Sequence, residues 1–133
     1  MRRIDLSFLF LAVLSLVVGV SLGIWMGIVH DFQFAPVHAH LNLVGWVSLA
    51  IFGLAYRAYP ALAGSWLAPA HFGSAAVGAV VFPIGILLSI TGVTVAVAIV
   101  GSLIWLASVL LFLANLARIA FGAPAPLVLA PAE

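Results

Sequence analysis

Histidine is the one strong metal-binding side chain that this sequence carries in number: it has four imidazoles and no cysteine. Two of them stand in the stretch Pro36-Val37-His38-Ala39-His40-Leu41-Asn42-Leu43-Val44-Gly45-Trp46, at the mouth of an apolar segment that runs on to Tyr59. Ionisable side chains entering a membrane are costly, so they usually serve a function. On an α-helix, residues two apart lie about 200° apart around the axis. One helix therefore cannot easily close His38 and His40 around a single metal ion. It can offer one imidazole to each of two different neighbours.

Zero cysteines exclude disulfides, thiolate nucleophiles, iron–sulfur ligation and a covalently attached c-type haem. The chain of 133 residues is 67% hydrophobic and 5% charged, with no lysine, and its mean hydropathy is +1.41. Soluble domains carry roughly a quarter charged residues, so the composition predicts an integral membrane protein, all-α, in contact with a lipid bilayer. A net charge of +1 without a basic patch argues against nucleic acid.

The elements that must position the histidines follow from segment length. Four segments reach the roughly 20 residues needed to span a bilayer. They run from about Leu6 to Val29, Val37 to Tyr59, Trp66 to Ile90 and Val93 to Phe121. The first follows Met1-Arg2-Arg3 and is too long for a signal-peptide core, so it reads as a retained helix. Pro36 stands where a helix start tolerates proline, 60–65 is a turn, Pro83 predicts a kink, and Thr91-Gly92 is a tight turn. Residues 122–133 read as a loose tail. The whole is a single four-helix transmembrane domain.

The arginines orient it. With the N-terminus cytoplasmic, Arg2, Arg3, Arg57 and Arg118 all fall on the cytoplasmic side, as do both termini, and residues 30–40 lie near the outer face. His71, about five residues into the third helix from the inner side, should then lie about 15 Å or more in depth from His40.

His38-Ala39-His40-Leu41, with Gly45 five residues after His40, resembles the tenth helix of the haem-copper oxidase and nitric oxide reductase catalytic subunit. In that family the H-x-H pair serves two haems, and the helix also runs from outside to inside. The resemblance covers about 25 residues, and Gly53, Tyr56 and Pro60 loosely follow the reductases' second helix. The family's catalytic subunit has twelve or more helices, in three arcs of four, and this chain looks like one arc. It lacks the paired histidines that hold the family's copper and a histidine–tyrosine pair beside them. A complete oxygen- or nitric-oxide-reducing site cannot come from one copy.

The resemblance implies a homotrimer of twelve helices, closed symmetry being the default for homo-oligomers. His38 of one protomer and His40 of the next would then hold a haem b between them. The face below His38 carries Asn42, Gly45, Leu49 and Gly53, and that below His40 carries Leu43, Val44, Val47 and Ile51. Asn42 would orient a histidine or bond across helices. Gly45 would let a flat macrocycle approach, or serve ordinary helix packing.

Two alternatives stand beside this. If 36–40 were extended, His38 and His40 would share a face, and with His30 they would form a three-imidazole copper or zinc site. Otherwise the chain is a non-catalytic structural subunit of a respiratory complex. His30 itself reads as a turn residue or a haem-propionate contact. His71 reads as a hydrogen-bonded helix histidine, and Tyr56, Arg57 and Tyr59 as an inner-interface anchor. Asn115 has no assigned role. The expectation is a b-type haem protein of a bacterial-type inner membrane, serving electron transfer or haem binding rather than a complete reductase, with a redox protein or quinone as partner.

Overall fold

A computed structural model describes residues 3–122. These residues are helical nearly throughout, in four long helices joined by short turns. Helix α1 is Ile4–Val29, α2 is Ala35–Ala58, α3 is Leu67–Ile90 and α4 is Ala96–Phe121, each long and apolar enough to cross a membrane. The expected spans are thus recovered with ends shifted by a few residues. The expected loose tail lies, apart from Gly122, outside the described residues.

Each turn has a local cause. α1 stops at His30, whose backbone is left-handed (φ 55°), a conformation uncommon outside glycine and several-fold enriched in histidine and asparagine. The Gln33 amide then donates to Asp31 Oδ1 at 3.0 Å, and Pro36 stands in the first turn of α2. Pro60–Gly64 forms a 3-10 turn. After α3, the Gly92 amide donates to Ser89 O and the Val93 amide to Leu88 O, with Gly92 at φ 75°. That bonding is a Schellman motif, which reverses the chain while satisfying the last carbonyls. Pro83 lies inside α3, which continues through it to Ile90.

α2 is not uniform. Ala35–His40 is α-helical, Leu41–Ser48 takes the wider π spacing, and Leu49–Ala58 returns to α. The Ser48 hydroxyl donates to Leu43 O at 2.7 Å across the wide turn. π segments occur frequently at functional sites, and this one begins at the residue after His40.

α3 and α4 form the most extensive antiparallel pair, and α1 packs along α2. Gly101 faces the Phe82 backbone, where a Cβ would lie 2.7 Å from Phe82 Cα, and Gly85 faces the backbone of Ala98 even more closely. The buried core gathers at the arginine end, around Phe8, Leu49, Phe52, Tyr56 and Leu62. Toward the histidine end the bundle opens into an apolar groove of about 590 Å³ among α1, α2 and α3. The outward surface is apolar, with Phe10, Val17, Ile28, Leu54, Leu103 and Leu113 all exposed, in keeping with helices long and apolar enough to cross a membrane.

Candidate functional site

His38 lies half-buried between α2 and α1. Its Nδ1 is 2.8 Å from the carbonyl oxygen of Gly19. A carbonyl only accepts, so Nδ1 carries the proton and Nε2 the lone pair. Two glycines of α1 make room for this contact. A Cβ on Gly23 would sit 2.7 Å from His38 Cε1, and one on Gly19 would sit 2.7 Å from Asn42 Nδ2. Asn42 donates to the backbone oxygen of His38 at 2.8 Å, and its amide nitrogen lies 3.5 Å from each ring nitrogen. Equal distances place the amide against the ring, out of line with the Nε2 lone pair. Asn42 therefore props the imidazole without consuming its free nitrogen.

His40 faces another way. Its Nδ1 is 2.8 Å from Pro36 O, one turn earlier on the same helix, so here too Nε2 keeps the lone pair. Its ring meets Phe82 of α3 edge-on, with centroids 4.8 Å apart. The two rings turn to different helices, as the two-residue spacing on an α-helical turn requires. In each, a backbone carbonyl fixes the tautomer that leaves Nε2 able to ligate a metal.

His30 caps α1 and is exposed. Among the described residues, no group of three or more His, Cys, Asp or Glu side chains comes together in a way that could hold a metal ion. The extended conformation that would set His38 and His40 on one face is absent, since Ala35–His40 is helical. Gly45 is buried against α1, where a Cβ would lie 2.7 Å from Ser15 Cβ. Its smallness serves the close approach of α2 to α1.

The remaining histidine belongs to a separate cluster at the arginine end. His71 is completely buried, and Tyr56, expected at the interface, is buried beside it with its hydroxyl 3.1 Å from His71 Nδ1. Tyr56 turns inward because its ring stacks on Phe8, with centroids 5.5 Å apart. Asn115 of α4 is the hub. Its Nδ2 donates to Leu62 O at 2.9 Å and to the Tyr56 hydroxyl at 3.3 Å, and its Oδ1 accepts from Arg118 Nε at 3.1 Å. Arg118 only donates, so the amide orientation is fixed. Tyr56 then accepts from Asn115 and donates to His71 Nδ1, which puts the His71 proton on Nε2. That N–H has no polar partner, and the imidazole sits among Phe8, Phe52 and Phe112, with ring centroids 5.0, 4.6 and 5.1 Å from its own. A protonated nitrogen walled in by aromatic rings is no metal ligand.

Sequence reasoning missed this histidine–tyrosine pair because its members stand on different helices. The signal was present in Asn115 itself, an uncharged polar group inside an apolar helix three residues before an arginine. Phe82, which meets His40, lies eleven residues beyond His71 on the same helix, about 16 Å at 1.5 Å per residue. The two histidine sites are therefore far apart along the bundle.

Compared with known protein families, curated proteins and solved structures, the chain has no significant match in any of the three.

Proposed function

We propose that this chain is a b-type haem-binding protein of a bacterial-type inner membrane, with His38 and His40 supplying the axial imidazoles. One observation carries the reading: His38 Nδ1 lies 2.8 Å from Gly19 O and His40 Nδ1 lies 2.8 Å from Pro36 O, so both rings hold Nε2 free for a metal. The donor set is imidazole alone, which suits haem iron. A haem held by His38 and His40 would supply one-electron exchange rather than oxygen chemistry, so electron transfer or haem binding, with a redox protein or quinone as partner, is the activity we assign.

The two rings serve different sides of the chain, one on the α1 side and one on the α3 side. A head-to-tail ring of identical subunits uses two different patches of each subunit at every interface. His38 of one protomer and His40 of the next would meet across such an interface in a homotrimer. The resemblance of the H-x-H stretch to the haem-copper oxidase helix supports the same assembly. Among the described residues every arginine is at the opposite end, so haem propionates would be met by Gln33, His30, water or the amides at the start of α2. The arginine bias supports an orientation with the arginine end cytoplasmic and the histidines near the outer face.

The test is spectroscopic. Protein expressed with ample haem and purified in mild detergent should show a Soret band and, on reduction, the sharp α band of a six-coordinate b-type haem. A protein that carries copper or zinc and no Soret band would replace this reading with the metal-site alternative. One that carries neither, and co-purifies with other chains, would favour a structural subunit.

A further inference from the structure

We infer that Phe82 of α3 is the positioning residue for the His40 imidazole, and that Gly101 of α4 holds Phe82 in place from behind. For what the ring ligates, this rests on the haem reading above. The two histidines are supported unequally. His38 bonds to another helix through Gly19 O, and Asn42 and the bare backbone at Gly23 flank its ring. The hydrogen bond of His40 stays within its own helix, from Nδ1 to Pro36 O one turn earlier. One such bond fixes the tautomer and anchors a single atom, and the ring plane can still tilt about it. Phe82 meets that ring from the neighbouring helix, edge-on, with centroids 4.8 Å apart and planes at 71°. Edge-to-face contact is a preferred aromatic geometry, and it opposes the tilt that the hydrogen bond leaves free.

Phe82 can do this only if it is itself held. Its backbone lies against Gly101, where an added Cβ would stand 2.7 Å from both Phe82 N and Phe82 Cα and 3.0 Å from the carbonyl carbon of Val81. Gly85 meets the backbone of Ala98 as closely one turn further on, so backbone meets backbone along this stretch of the α3–α4 pair. The residue after Phe82 is Pro83, buried inside the helix, whose ring fixes its own φ. Through Phe82, a glycine of the fourth helix thus bears on an imidazole of the second. A ligating ring must be kept within about 10–20° of its working orientation by neighbours that are themselves locked, and Phe82 backed by Gly101 meets that requirement.

The test reads the ring itself, by nuclear magnetic resonance on the full chain in detergent with isotope-labelled histidine, before haem is added. Wild type should give one sharp set of His40 ring signals, assigned by their loss in His40→Ala. In F82L, which keeps the site apolar, these signals should broaden or split while those of His38 stay unchanged. F82Y, which keeps the aromatic edge, should restore them. Folded G101A should disturb the same signals, and G73A, whose methyl group meets nothing within 4 Å, should disturb none. Loaded with haem, F82L should retain it but shift or broaden the low-spin electron paramagnetic resonance signal, and F82Y should match wild type. Helical circular dichroism confirms that each variant is folded. His40 signals identical in wild type and folded F82L overturn the positioning, whatever the haem content. Wild type that takes up no haem overturns the ligand role of the ring instead, so the two failures are told apart by the sample that shows them.

Discussion

The Nδ1 nitrogen of His38 lies 2.8 Å from the carbonyl oxygen of Gly19, so a single imidazole joins α2 to the helix before it. That contact fixes the ring's tautomer and leaves its far nitrogen unprotonated. It exists because α1 carries no side chain at positions 19 and 23, where a Cβ would overlap Asn42 and His38.

The first prediction concerns this seat. Gly23→Ala places a methyl group 2.7 Å from the present position of His38 Cε1, so the ring must move away from Gly19. Overpacking of this kind costs about 1–3 kcal/mol, little enough for the bundle to survive. The expected result is a folded protein with a shifted or weakened haem spectrum. Gly27→Ala, at a position with open space, should leave both stability and spectrum unchanged.

A second prediction separates the two histidine clusters. Tyr56→Phe deprives Asn115 Nδ2 and His71 Nδ1 of a buried partner, which should cost about 1–3 kcal/mol. Asn115→Ala should cost a similar amount, and a double-mutant cycle should give a coupling of about 0.5–3 kcal/mol. Denaturant or thermal unfolding followed by circular dichroism measures both. Neither substitution should alter the haem spectrum, since His71 lies about 16 Å along α3 from the residue that touches His40.

The third prediction tests the α3–α4 hairpin. Gly85→Ala meets backbone atoms of Ala98, and Gly101→Ala meets those of Phe82. Backbone cannot rotate aside as a side chain does, so the helices must separate. Each should lower the unfolding midpoint more than Gly73→Ala, whose added methyl group meets nothing within 4 Å.

The four spans were legible in composition, because a 20-residue apolar run can bury its backbone polar groups in lipid only as a helix. The opposed directions of His38 and His40 were legible too, since they need only a local α-helical turn. The π segment Leu41–Ser48 was not, because its wider spacing leaves no periodic mark in a run that is apolar on most sides. Tyr56 was misread for a related reason: tyrosine near a helix end marks an interface only when nothing inside can take its hydroxyl. His71 and Asn115 supply that partner from 15 and 59 residues away. Gly19 and Gly23 passed unnoticed because their purpose lies in the side chains of the next helix.

The most direct measurement co-expresses two differently tagged variants, His38→Ala and His40→Ala, isolates mixed assemblies through both tags, and compares their reduced spectra with those of each variant alone. Each variant alone lacks one imidazole at every interface and should show no six-coordinate b-type spectrum. Mixed assemblies bring His38 of one chain to His40 of another and should regain it. A full spectrum in either variant alone, or none in the mixture, would contradict ligation by these two residues across neighbouring chains.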